Sequence, residues 1–167
     1  MKVIFLDIDG VLNNRESVHK RHEEKLGNVW LPDITLVERL KQIIDATGAQ
    51  IVVSSTWRLH GDSFMFRHLF AALGFNLPFV IGKSTPRLHK RRGIEIQQWL
   101  DEHNAEDDAD PEFSKEHYHE RADSFIILDD DSDMEHLMDR LVQTKTDLGL
   151  QDEHVEQAIK LLNTPAG

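Results

Sequence analysis

Two features of the 167-residue sequence predict an α/β fold, with a mostly parallel central sheet covered by helices on both faces. Short runs of β-branched and aromatic residues alternate with segments whose apolar positions recur at helical spacing. Three of those runs end in clusters of acidic or hydroxyl residues. Alternation of this kind calls for parallel pairing, because the helix between two strands supplies the crossover. Ligands then bind beyond the carboxyl ends of the strands, where the polar clusters fall. The length suits a single domain over residues 1–167.

The first strand is residues 2–6, KVIFL, an apolar run suited to burial on both faces and ended by Asp7, Asp9 and Gly10. Residues 13–32 are polar and irregular in pattern. Pro32 and Asp33 then open a helix with apolar positions Ile34, Leu36, Val37, Leu40, Ile43 and Ile44, before Gly48. Residues 51–53, IVV, predict a second strand running into SSTWR, and a helix over 62–73 stops at Gly74. A short strand at 79–81 and a helix over 93–103 follow. The acidic stretch 101–123 reads as an insertion or a mobile loop. Residues 125–128, FIIL, form the fourth strand, ending in DDDSD. A helix carrying Met134, Leu137 and Met138, a weak strand near 141–144 and a helix over 152–162 complete the chain.

Composition narrows the function classes. Hydrophobic residues make up 40% and charged residues 29%, and no apolar run approaches the roughly 20 residues of a membrane span. The acids that follow the first apolar run do not suit a secretory signal, so the expected location is the cytoplasm. Absence of cysteine removes thiol nucleophiles and thiolate metal sites, leaving oxygen or imidazole to hold any metal. The net charge of -11 opposes long, tight contacts with nucleic acid. That charge is unevenly spread: residues 101–123 hold ten acids and two basic residues, whereas residues 83–92 hold five Lys or Arg and no acid. A phosphate can therefore be attracted locally.

Asp7 and Asp9 lie two apart after a buried strand, so persistence of the extended geometry sends both side chains to one side of the backbone. Two carboxylates that close repel each other unless one is protonated or a divalent cation joins them, and either outcome suits phosphoryl chemistry. Gly10 allows a sharp turn and close approach to a bound group. A strand that simply ends in a turn is the plainer reading of the same residues. Two apparent motifs fail. Asp129, Asp131 and Asp133 imitate half of an EF-hand loop, but Met134 and Arg140 stand where Gly and Glu are needed. Gly82, Lys83 and Ser84 imitate the end of a P-loop, but Leu77 occupies the required glycine position. His117 and His119 lie in the acidic stretch and read as surface residues. Trp57 and Arg58 have two readings: at the mouth of the site, stacking on a ring and pairing with a phosphate, or as a core cover and a surface ion pair.

Taken in order, FLDIDGVLN, SST, the basic cluster that opens a later helix and ILDD make the sequence resemble the haloacid dehalogenase (HAD) superfamily of phosphotransferases along nearly its whole length. More narrowly, LDIDGVLN, VVSSTWR, RGIEIQQWL, ILDDDSDM and LVQT resemble the small HAD domains that also occur in multi-domain RNA-repair proteins. The resemblance implies a Rossmann-like three-layer α/β sandwich. Asp7 is then the nucleophile that forms an aspartyl-phosphate, and Asp9 the general acid and base. Ser54, with Ser55 as the alternative, binds a phosphoryl oxygen. Arg92, with Lys90 and Arg91 as alternatives, stabilises the nucleophile and the transferring charge. Ser55, Arg58 and Lys90 are the expected substrate-binding residues. Asp130, with Asp129 beside it, Asp7 through its side chain and Asp9 through its carbonyl are the expected ligands of Mg2+. A hard cation offsets the repulsion between an anionic nucleophile and an anionic phosphate.

The expected activity is hydrolysis of phosphomonoesters, with nucleotides or nucleic-acid termini among the candidate substrates and no membrane partner. The segments between the first strand and Asp33, and after Ile81, are too short for a full cap domain, which leaves an open site. A non-enzymatic phospho-receiver is the competing class. Asp9 separates the two, since a second acid beside the nucleophile favours rapid loss of the acyl-phosphate.

Overall fold

The computed structural model describes residues 1–23, 31–106 and 120–164, and within these the side chains of residues 20–23, 81–83 and 106 are outside the description. Strands β1 (Lys2–Leu6), β2 (Gln50–Val53), β3 (Phe79–Ser84), β4 (Ser124–Asp129) and β5 (Leu141–Gln143) form one sheet in the order β3-β2-β1-β4-β5. All four pairings are parallel. β1 is central, with Ile4 opposite Ile51 of β2 and Ile126 of β4.

The two-residue period of a strand divides the core into two layers. Ile4, Leu6, Ile51, Val53, Ile126 and Leu128 join the layer that includes side chains of α2 (Ile34–Thr47), α3 (Ser63–Ala72) and α5 (Asp152–Leu162). Val3, Phe5, Val52, Phe125 and Ile127 face the opposite way, against Ile96, Trp99 and Leu100 of α4 (Arg92–Glu106). Runs that are apolar at every position, as the sequence shows, are what a sheet covered on both faces needs. None of the helices among the described residues is long and apolar enough to cross a membrane.

Helix termini are set by local chemistry where the sequence carries caps. The Asp33 carboxylate accepts from Thr35 N at 2.9 Å and Gly48 closes α2 in the left-handed region, while Asp62 accepts from Met65 N at the start of α3. α4 is capped from a distance. Asp133, beyond β4, accepts Arg92 N on its carboxylate at 3.0 Å and Gly93 N on its carbonyl at 3.2 Å. A Cβ on Gly93 would lie 2.2 Å from the Met134 carbonyl oxygen, so only glycine lets the helix start this close to the loop.

Three expectations change. Part of the stretch 13–32, expected to be irregular, is helical: α1 (Arg15–Glu23) forms, started by a reciprocal pair in which Asn14 Oδ1 accepts from Ser17 N and Ser17 Oγ from Asn14 N, while residues 24–30 lie outside the described residues. Its sequence, RESVHKRHE, is polar on nearly every face, so no apolar period betrays it. The helix expected around Met134 to Met138 is a 3-10 stretch, Glu135–Arg140. Met134, Leu137 and Arg140 are buried and Met138 is exposed, a spacing of three that suits 3.0 residues per turn. Residues 101–106 of the acidic stretch belong to α4 and residues 120–123 lead into β4, while 107–119, with His117 and His119, lie outside the described residues.

Candidate active site

Strand parity brings the acids together. Asp7 and Asp129 continue the alternation of Val3 and Phe5 on β1 and of Phe125 and Ile127 on β4, so both carboxylates emerge toward the α4 side of the sheet. Leu6 lies opposite Leu128, and Asp7 N donates to Leu128 O at 2.9 Å, which places the two acids side by side. One carboxylate oxygen from each of Asp7, Asp129 and Asp130 lies within 4.8 Å of the other two. Asp9 is not in that group. β1 ends at Leu6, and the N–H groups of Val11, Leu12 and Asn13 all turn back to Ile8 O, so the extended geometry that would keep Asp7 and Asp9 on one side does not persist.

Asp130 is set by its neighbours. Its Oδ2 accepts from Thr146 Oγ1 at 2.5 Å, and its carbonyl accepts from Gln143 Nε2 at 2.9 Å. Gly10 has φ +73, and a Cβ there would lie 2.3 Å from Asp130 Oδ2. Thr144 Oγ1 donates to Gly10 O at 2.7 Å, tying the turn after β1 to the end of β5.

Of the three basic candidates, Arg92 reaches the acids. Its Nη1 lies 3.2 Å from Asp7 Oδ1, 3.2 Å from Asp129 Oδ2 and 3.0 Å from Ser54 O. Arg91 pairs with Glu135 at 3.1 Å, and Lys90 is exposed on the preceding loop. Ser54 and Ser55 are both fully buried at the end of β2. Ser55 donates to Asp7, and Ser54 Oγ has no hydrogen-bond partner. Arg58, expected at the mouth, is turned inward instead. Its side chain is 7% exposed, pairs with Glu95 at 2.6 Å, and donates to the carbonyls of Ser54, Ser55, Thr85 and Pro86. Those acceptors occupy the guanidinium from the segments that follow β2 and β3 and from α4 at once, so Arg58 braces the loops.

Asp9 stands at the exposed rim with both oxygens engaged: Oδ1 accepts from Asn13 Nδ2 at 2.7 Å and Oδ2 from Trp57 Nε1 at 2.9 Å. Trp57 also packs on the core layer of α2, α3 and α5, as its reading as a core cover expects. Asn13, Thr144, Asp133 and Glu95 fall inside segments that carry the family resemblance, which is their only signal in the sequence. Thr146 carries none.

Burial is the main electrostatic cost of the cluster. It raises the Asp7 pKa above its ordinary value against the opposing pull of Arg92, Ser55 and the Ile8 amide. Burial likewise raises Asp129 to about 7, with Arg92 opposing and Asp7 adding to the rise. Burial also pulls Arg92 down, but Asp129 and Asp7 more than offset it and hold its pKa above the usual value. Arg92 does not satisfy Asp129 completely. Their 3.2 Å ion pair is out of line for a hydrogen bond, so Asp129 Oδ2 is buried without a donor. A buried, unsatisfied carboxylate oxygen within an all-oxygen set of three acids fits a hard divalent cation.

A parallel sheet that presents acids from β1 and β4, joined by a cation from α4, defines a Rossmann-like domain of the HAD type. The family model described as "HAD domain in Swiss Army Knife RNA repair proteins" matches residues 3–155, and the chain belongs to that family. Neither a curated protein nor a solved structure matches it.

Proposed function

We propose that the chain is a Mg2+-dependent phosphomonoester hydrolase that works through an aspartyl-phosphate on Asp7, with nucleotides or nucleic-acid ends as its substrates. The carrying observation is the convergence of Asp7, Asp129 and Asp130 within 4.8 Å, with Arg92 between the first two. The RNA-repair setting of the family favours nucleotide substrates. Asp7, Asp129 and Asp130 would hold Mg2+, and the ion, when bound, supplies positive charge that lets a carboxylate approach a phosphate.

In the first half-reaction an Asp7 carboxylate oxygen attacks phosphorus. The bond from phosphorus to the leaving oxygen breaks, and that oxygen takes a proton from Asp9. In the second, water attacks the acyl-phosphate and gives its proton to Asp9, which frees inorganic phosphate and restores the Asp7 carboxylate. Ser55 orients Asp7, and Arg92 offsets the charge that gathers on the phosphoryl oxygens. Asn13 and Trp57 hold Asp9 facing the leaving group rather than the metal cluster. The test is phosphate release from p-nitrophenyl phosphate with Mg2+ and with chelator, beside Asp7→Asn. Release that needs both Mg2+ and Asp7 supports the assignment, and equal release by the variant overturns it.

A further inference from the structure

Asp9 also forms part of a cavity of about 540 Å3, and its other walls are Thr56, Trp57, His60, Met65 and Leu69, between the 3-10 turn Thr56–Leu59 and α3. We infer that this cavity seats the aromatic ring of the leaving group, a nucleobase, while the phosphoryl group lies over Asp7. The inference rests on the phosphomonoesterase reading and gives the base of the proposed nucleotide substrate a seat, apart from the site of the phosphoryl group.

Three observations support it. The cavity is continuous with the reacting end, because Asp9 is both its wall and the proposed donor to the leaving oxygen, so the alcohol portion departs on this side. Its volume lies within the roughly 300–1,000 Å3 of small-ligand sites and far exceeds what a phosphate needs. Its chemistry suits a flat, uncharged group. The walls include an indole, a thioether and a leucine, and no Lys or Arg stands among them to hold a second phosphate. Leu59, Phe64 and Met65 extend this apolar character to the surface, where they are exposed in a chain of net charge -11. A sugar phosphate without a base would leave these walls wetted.

The experiment compares kcat/KM for adenosine 5'-monophosphate with that for ribose 5-phosphate, the same ester without the base, in the wild type, Trp57→Leu and Met65→Ala. The ratio of the two cancels changes in the chemical step, including any loss of the Trp57 to Asp9 hydrogen bond. The expected wild-type ratio is well above one. Base-aromatic stacking predicts that Trp57→Leu lowers it about 5- to 140-fold, and Met65→Ala lowers it to a smaller extent. A wild-type ratio near one, or a ratio unchanged in Trp57→Leu, overturns the inference while leaving the hydrolase reading standing. Where neither ester is hydrolysed, p-nitrophenyl phosphate decides the hydrolase reading. Calorimetric titration with adenosine, which carries no phosphate, then decides the cavity alone: binding that weakens in Met65→Ala supports it, and absence of binding overturns it. Single-stranded oligonucleotides with a 5'- or a 3'-terminal phosphate, beside the mononucleotide, identify whether the base comes from a free nucleotide or a chain end.

Discussion

Gly10→Ala tests the proposed geometry of the metal cluster through a single methyl group. Two costs are separable. Alanine at φ +73 is strained by about 1–2 kcal/mol whatever surrounds it. The added Cβ would also lie 2.3 Å from Asp130 Oδ2 and 2.5 Å from its Cγ. Relief to an ordinary contact needs a shift of about 1 Å in a carboxylate that Thr146 holds at 2.5 Å, so the hydrogen bond is stretched or lost, at about 1 kcal/mol. Gly48→Ala isolates the first cost, since Gly48 has φ +70 and nothing within 4 Å of its Cβ position. Urea unfolding in chelator is expected to show Gly10→Ala about 1 kcal/mol less stable than Gly48→Ala. Disturbance of a metal ligand's surroundings costs about 10- to 100-fold in affinity. Stabilisation by saturating Mg2+ therefore shrinks by about 1.4–2.7 kcal/mol in Gly10→Ala and is unchanged in Gly48→Ala. Equal behaviour of the two variants in both measurements refutes the placement of Asp130 against Gly10.

The remaining predictions concern charge. Asp129 has a folded pKa raised to about 7 from an ordinary 3.8, so its contribution to stability is present at low pH and is lost as pH rises through 7. Arg92 limits that loss; in chelator, Arg92→Ala should cost about 1 kcal/mol at pH 5 and about 3 kcal/mol at pH 8, and an equal cost at both overturns this account. Asp9→Asn should give a burst of about one equivalent of p-nitrophenol, a leaving group that needs no proton, and then turn over about 10²- to 10⁴-fold more slowly; a burst-free time course counts against the acyl-phosphate. Arg58→Met leaves the buried Glu95 carboxylate without its counter-ion and should cost about 3–5 kcal/mol in urea unfolding, most of it recovered when Glu95→Met is added; a KM effect without a stability loss would restore a substrate-binding role. His154 Nδ1 accepts from Gln151 N at the start of α5, and burial lowers its pKa below the ordinary 6.5, so stability is lost as pH falls through that lowered value. His154→Gln keeps an acceptor that does not titrate and should flatten the acid side of the stability profile.

Much of the acid geometry is legible in the chain itself. Apolar runs at 2–6 and 125–128 specify strands buried on both faces, and the residue that ends each run inherits its side from a period of two. Asp7 and Asp129 face α4 for the same reason that Phe5 and Ile127 do. Short polar pieces are less legible. α1 has no apolar stripe, and the buried spacing of three in Met134, Leu137 and Arg140 is interrupted in sequence by the apolar but exposed Met138.

Strand identity and side-chain parity depend on neighbours a few residues apart, and those the sequence by itself determined, whereas β3, expected over 79–81, extends to Ser84. Which cation meets the acids was decided only in three dimensions. Lys90, Arg91 and Arg92 are adjacent and chemically alike, and the choice among them turns on the angle at which α4 leaves its loop. That angle depends on Asp133 capping the helix from beyond β4 and on Gly93 lying against the Met134 carbonyl, contacts made across about forty residues of chain. The inward turn of Arg58 has the same origin, because the carbonyls that hold it come from β2 and the end of β3, and its carboxylate from α4. A local pattern specifies the side on which a residue emerges, but its partner there is supplied by segments that only the folded sheet brings within reach.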